Sequence, residues 1–251
     1  MSDNICRKLE SSGRADMDYS CVTVPGKRVY NEDSCIVEAV ADGILLAVAD
    51  GLGGHAAGEV ASGIAIDTLR SVFMTKYRTG AGILGAEALM RLAFEEADRI
   101  ITSEAKDERE GMGTTLSAAF IIDGSVIVGN TGDSRVYLLD GSLRQITKDH
   151  SLVQELVDKG MVDAESARFH PMKHIIRHSL GGDFRVDIIS DTLSPKITLL
   201  LSTDGLHDYI GADRIEEILK EGDACEAAKS LIDEALSSSD DNITAVVMRT
   251  D

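Results

Sequence analysis

The sequence predicts an α+β domain in which helices cover antiparallel sheets. Strand-like segments come in two runs joined by Asp-Gly turns, two segments of helical period lie between the runs, and no repeat, low-complexity tract or linker divides the chain. In order, residues 1–17 carry few large apolar side chains and are expected to be a lead-in to a single domain over 18–251. Asp18 to Val24 alternates as a strand does. Cys35 to Val40 and Ile44 to Ala49 form a strand pair turning at Ala41-Asp42-Gly43, because Asp-Gly favours a tight hairpin. Val60, Ala61, Ile64, Ala65, Leu69, Val72 and Phe73 then recur at helical spacing, as do Leu89, Leu92, Ala93, Ala97, Ile100 and Ile101. The charged run 103–110 is a solvated helix end or loop.

A second β-rich stretch follows, with short strands over 114–122, 125–130, 135–139 and 143–147, and turns at Asp123-Gly124, Gly132-Asp133 and Asp140-Gly141. A short helix over 152–159 leads into an irregular segment that ends near Gly182. Strands over 186–189, 197–202 and 243–248, with helices over 215–220 and 224–236, complete the chain.

The composition bounds the function. Of 251 residues, 43% are hydrophobic, enough for a core, and 43 acids against 25 bases give a net charge of −18. Such a surface repels phosphate backbones and anionic lipids, so neither nucleic acid nor membrane is an expected partner. An anionic substrate can approach only where something reverses the local field, and a bound divalent cation does this. Cys6, Cys21, Cys35 and Cys225 show no zinc-knuckle or dithiol spacing and are read as reduced structural thiols. The polar N-terminus has no signal-peptide core and the apolar runs are too short to span a bilayer, so a cytoplasmic protein is expected.

The most informative local feature occurs twice. The run from Ile44 to Ala49 ends at Asp50-Gly51, and the run from Thr198 to Thr203 ends at Asp204-Gly205. A strand apolar on both faces is buried, and a carboxylate at its end is held rigidly. Asp-Gly is also a common turn, but further acids stand at strand edges: Glu32, Asp33, Asp133 and Asp241. If these converge, their charges repel and they take up protons. Hard cations such as Mg²⁺ or Mn²⁺ resolve that conflict, and zinc fits less well without thiolates or several histidines.

Seven motifs stand in the order and approximate spacing of the protein phosphatase 2C family: 28–33 (RVYNED), 49–55 (ADGLGGH), 111–115 (GMGTT), 132–135 (GDSR), 149–153 (DHSLV), 202–206 (STDGL) and 241–244 (DNIT). The chain resembles the compact microbial members. The resemblance implies a four-layer α-β-β-α sandwich of two antiparallel sheets flanked by helices. It implies a serine/threonine protein phosphatase with two or three Mn²⁺ or Mg²⁺ ions, in which a water bridging two of them, roughly 3.5–4 Å apart, attacks phosphorus directly. Asp50 would bridge two metals and the Gly51 carbonyl would bind one. Asp204 and Asp241 would complete the ligands of the first metal, Glu32 or Asp33 would support the second, directly or through water, and Asp133, with Asp204, would help hold a third, weaker one. Arg28, four residues before Glu32, is placed as the phosphate-binding arginine, and His55 as a candidate acid or a contact at a helix entry. Phosphorylated proteins are the implied partners of a monomer, with room for a cognate serine/threonine kinase.

The remaining polar residues have plainer readings. His170, His174 and His178 are spaced by four, but Pro171 interrupts any helix and they are read as residues of a flap. His207 and Asp208 are explained by a helix start, Arg135 by a structural ion pair, and Asp241 is preferred to Asp240 because it directly precedes Asn242-Ile243-Thr244. A haloacid-dehalogenase-type mechanism needs a second aspartate two positions after the first, where this chain has Leu52 and Leu206. A catalytically silent phosphoprotein-binding scaffold is the alternative from another class; it commonly lacks metal ligands, which are all present here.

Overall fold

The computed structural model describes residues 5–9, 17–53 and 56–250. Two antiparallel sheets pack face to face. The first runs β1 (Ile5–Leu9), β2 (Met17–Val24), β12 (Ile243–Thr250), β11 (Thr198–Ser202), β8 (Arg135–Asp140) and β9 (Ser142–Gln145). The second runs β10 (Asp187–Thr192), β7 (Ser125–Thr131), β6 (Leu116–Ile122), β4 (Gly43–Leu52) and β3 (Asp33–Val40), with β5 (Gly113–Thr114) added to the end of β4. Helices α1 (Ala56–Lys76) and α2 (Gly82–Glu104) cover the second sheet. Two short helices, α3 (Leu152–Asp158) and α4 (Ala164–Ala167), lie between β9 and β10, and the first sheet is covered by α5 (Asp204–His207), α6 (Ala212–Lys220) and α7 (Ala224–Leu236).

The two-residue period of the central strands builds three cores at once. In β4, Leu45, Ala47 and Ala49 face α1 and α2, whereas Ile44, Leu46 and Val48 face the other sheet. In β11, Leu200 packs under α7 while Leu199 and Leu201 meet the second sheet. These side chains are almost wholly buried, and each large aliphatic one stabilises the fold by about 1.5–3 kcal/mol relative to exposure. The helices are set by local chemistry as well. At α7, Asp223 accepts from the Glu226 amide at 2.9 Å while Glu226 accepts from the Asp223 amide at 3.2 Å, a reciprocal cap.

Three features differ from the sequence reading. The segment Ile5–Leu9, expected to be part of a lead-in, pairs with β2 as an edge strand; its five residues, two of them basic, are too few and too polar to show a strand period. The Thr114–Ile122 strand divides into β5 and β6, because Thr115 turns its side chain to the end of β4. The cysteines are not reduced: Cys21 of β2 and Cys35 of β3 form a disulfide that ties one sheet to the other, and Cys225 is also disulfide-bonded. Scattered spacing along the chain carried no information about proximity across the sandwich. Among the described residues no helix is long and apolar enough to cross a membrane.

Candidate metal centre

The ends of β3, β4, β11 and β12 meet at one edge of the sandwich. Asp33 opens β3 and Asp50 lies near the end of β4, and the antiparallel register sets them directly opposite one another. Like charges in that position destabilise a sheet. Asp204 heads α5 straight after β11, and its carboxyl hydrogen-bonds to that of Asp50. Asp241 lies just before β12 and acts electrostatically on Asp33, Asp50 and Asp204. Asp133, in the turn between β7 and β8, faces Asp204.

Burial and mutual repulsion oppose ionisation of Asp33, Asp50, Asp133 and Asp204. Burial, followed by Asp204 and Asp241, pushes Asp33 up to about 7 against the two hydroxyls it accepts from. Asp204 rises to about 6, by burial and then by Asp208 and Asp241. Asp50 and Asp133 are raised well above the ordinary carboxylate range by burial first and by neighbouring aspartates second. One oxygen of each of Asp33, Asp133 and Asp204 is buried with no hydrogen-bond partner. A buried acceptor left unmatched costs about 1–3 kcal/mol, so three of them around one space mark a site shaped for something positive. An all-carboxylate donor set fits a hard divalent cation.

The backbone around the cluster is fixed by hydrogen bonds from neighbouring elements. The Asp50 amide donates to Thr115 Oγ1 at 2.9 Å, and its carbonyl accepts from Thr114 Oγ1 at 2.8 Å and from the Thr115 amide at 2.9 Å. The Gly51 amide donates to the Glu32 carbonyl at 3.1 Å. A Cβ at Gly51 would stand 2.2 Å from the Gly58 carbonyl oxygen and 2.7 Å from that of Glu32, so only glycine lets these three chains close. The Glu32 amide donates to Asn242 Oδ1 at 2.8 Å, tying the start of β3 to the start of β12.

The structure therefore brings Asp33, Asp50, Asp133, Asp204 and Asp241 together, with Gly51 and Glu32 beside them. Arg28 lies at the rim, its Nε on the Asp240 carbonyl at 3.1 Å and its Nη2 on Asp241 Oδ2 at 2.9 Å. Asp240 itself pairs with Lys27 at 2.7 Å on the surface. His55 lies outside the described residues. Arg135 makes a bidentate pair with Asp149, with contacts of 2.6–3.0 Å.

Sequence reasoning quoted two motifs without seeing what they do. Thr203 Oγ1 and Thr244 Oγ1 both donate to Asp33 Oδ2, at 2.8 and 2.6 Å, and so orient that carboxyl. Both sit one residue from an aspartate motif or within it, which was the available signal. The sequence reading gives Asp208 to a helix start and His174 to a flap. Their ligand atoms and one of Asp204 lie within 4.8 Å of one another.

The protein phosphatase 2C family model matches residues 27–243. The chain is 38% identical over 235 residues to the serine/threonine phosphatase stp of Listeria monocytogenes, covering 89% of this chain and 92% of the relative. The S. agalactiae serine/threonine phosphatase superposes with a TM-score of 0.87 at 30% identity, over 94% of this chain and all of that one. The catalytic domain of the phosphatase PstP, in complex with two manganese ions, superposes with a TM-score of 0.82 at 34% identity, over 94% of this chain and 99% of that one. With the sheets, the aspartate cluster and this likeness in agreement, the chain belongs to the protein phosphatase 2C family and is a serine/threonine phosphatase, a hydrolase.

Proposed function

We propose that the chain dephosphorylates phosphoserine and phosphothreonine in proteins by direct water attack at the Asp50 cluster, with Mn²⁺ or Mg²⁺ as cofactor. The observation that carries this is the set of buried, mutually repelling carboxyls Asp33, Asp50, Asp133 and Asp204, three of which, Asp33, Asp133 and Asp204, keep an unmatched oxygen. Asp50, Asp204 and Asp241 would hold one cation, Asp50 with Gly51 and Glu32 or Asp33 a second, and Asp133 with Asp204 a third. Bound cations supply charge neutralisation, a template for the phosphoryl oxygens and a lowered pKa for a shared water.

The chain's own residues do the rest. Thr203 and Thr244 hold Asp33, and Thr114 and Thr115 hold the Asp50 backbone, so the carboxyls are oriented before any substrate arrives. Arg28 offers a planar pair of donors to a phosphoryl group at the rim. The partners on this reading are phosphorylated proteins and the serine/threonine kinase that modifies them. Phosphopeptide hydrolysis should require Mn²⁺ or Mg²⁺, stop with chelator and fall by about a thousandfold in Asp50→Asn, the equivalent of several kcal/mol of lost charge stabilisation. Turnover that persists in chelator, or a trapped phosphoaspartate, would overturn it.

A further inference from the structure

The segment between β2 and β3 is short and closely held. The Arg28 amide donates to the Pro25 carbonyl at 3.0 Å and closes a turn. Gly26 takes a positive φ of 58°, and a Cβ there would stand 2.1 Å from the Asp241 carbonyl oxygen, so the turn lies directly on the chain that enters β12. One buried side chain, Asn242, ties the segment at both ends. Its Nδ2 donates to the Pro25 carbonyl at 3.0 Å and to the Tyr30 carbonyl at 2.8 Å, while its Oδ1 accepts from the Glu32 amide.

The side chains between these anchors nevertheless stand in solvent. Val29 is 85% exposed, more than any other large apolar residue among the described ones, and Tyr30 is 57% exposed. Single apolar residues scattered over a surface need no explanation. These two are adjacent, share a fixed backbone and directly follow Arg28, the arginine proposed to hold the phosphoryl group. An aromatic and an aliphatic side chain on a backbone ordered beforehand lose little entropy when something covers them. The charges beside them are already paired, Lys27 with Asp240 and Arg28 with Asp241. On a protein of net charge −18, this part of the rim suits an apolar neighbour of the phosphate and not an acidic one.

We propose that Val29 and Tyr30 form a substrate contact that favours phosphopeptides with a large apolar residue one or two positions from the phosphoresidue. The inference rests on the reading that Arg28 receives the phosphoryl group. The first and second residues beyond Arg28 lie about 4–7 Å from it along the chain, the span that also separates a phosphoresidue from its first and second neighbours. A peptide anchored by its phosphate thus lays those neighbours on Val29 and Tyr30. The contact is the same in the bound peptide and during attack on phosphorus, so it lowers KM and leaves kcat alone.

The test uses the full chain with saturating Mn²⁺ and phosphoserine peptides in a glycine–serine background. Leucine replaces serine at one position at a time, from two before the phosphoserine to two after it. At one position or more, leucine should lower KM by about fivefold to tenfold with kcat unchanged, the low end of what an apolar contact discriminates. In the double variant Val29→Ser/Tyr30→Ser, kcat/KM for leucine and serine peptides should agree within about twofold. That ratio compares two substrates on one enzyme, so a general loss of activity cancels from it. Both residues are exposed, so circular dichroism should show the fold kept. A leucine preference that survives in the double variant, or its absence at every position in an active parent, would overturn the contact and leave the phosphatase reading standing. A parent that dimerises in sedimentation through these residues and shows no leucine preference would overturn it too, giving the patch to a second copy of the chain. Peptides that the parent hydrolyses at no Mn²⁺ concentration would overturn the phosphatase reading and this contact with it.

Discussion

Replacing Asp33 by asparagine should stabilise the metal-free protein at alkaline pH relative to the parent, and the advantage should vanish in acid. Asp33 is raised from 3.8 to about 7. A carboxyl whose folded value exceeds its unfolded one binds more protons folded than unfolded, so stability falls as pH rises from about 4 to about 7. The full difference corresponds to on the order of 4 kcal/mol. By pH 5 the unfolded group is already ionised, which leaves about 2–3 kcal/mol to be lost between pH 5 and 8.5. The side-chain amide of the Asp33→Asn variant does not titrate, and it keeps an acceptor for the Thr203 and Thr244 hydroxyls. Any change in those two bonds is the same at both pH values and cancels in the comparison. At about 2–4 °C per kcal/mol for a chain of this size, the variant should gain roughly 5–10 °C on the parent across that interval in chelator. Thermal unfolding followed by circular dichroism reads this directly. With saturating Mn²⁺ the order should reverse, because only the parent keeps every carboxylate the cations use. A gap that stays constant with pH, or a parent that gains on the variant as pH rises, would refute the electrostatic account.

The other expectations are simpler. Gly51→Ala should destabilise by about 1–3 kcal/mol and weaken Mn²⁺ binding, since the new methyl collides with the Gly58 and Glu32 carbonyls; urea unfolding and metal titration check it. Thr244→Val removes a hydroxyl bonded to Asp33 at 2.6 Å and to Thr23 Oγ1 at 2.7 Å. It should cost about 1–2 kcal/mol and roughly tenfold in Mn²⁺ affinity, read by calorimetry. Arg135→Ala leaves Asp149, 9% exposed at its side chain, without its bidentate partner beside an already crowded cluster. A loss of about 3 kcal/mol in chemical unfolding is expected.

What the sequence showed was the part of the fold written in short-range patterns. β4 and β11 were legible because runs apolar on both faces have to be central, and α1 and α2 because Leu69, Phe73, Ala93 and Ala97 recur at one helical face. The acids at strand ends were legible as residue types. Their convergence followed only from the resemblance, because no local pattern says that Asp33 will oppose Asp50, or that the hydroxyls orienting it will come from 170 and 211 residues away. The Cys21–Cys35 bridge escaped for the same reason, since it joins two strands that never pair. For His170, His174 and His178 the sequence reading, that Pro171 interrupts any helix over their spacing of four, agrees with the irregular backbone there, which sends the three rings to three different partners.

The charge of −18 and the site explain one another through Arg28. A phosphoryl group cannot enter a cluster of aspartates, and Arg28 at its rim is engaged by one of those aspartates, through Nη2 to Asp241 at 2.9 Å, and by the Asp240 carbonyl through Nε. Filling the centre changes both conditions together. On the proposed reading, a cation held by Asp241 would draw that carboxylate's charge away from the guanidinium and make the local field positive for a phosphoryl group. On that reading, metal loading would free Arg28 for a phosphoryl group. The buried repulsion between Asp33, Asp50 and Asp204 is then the cost of a centre shaped for cations, set at the edge of the three apolar cores that hold the two sheets and their helices together.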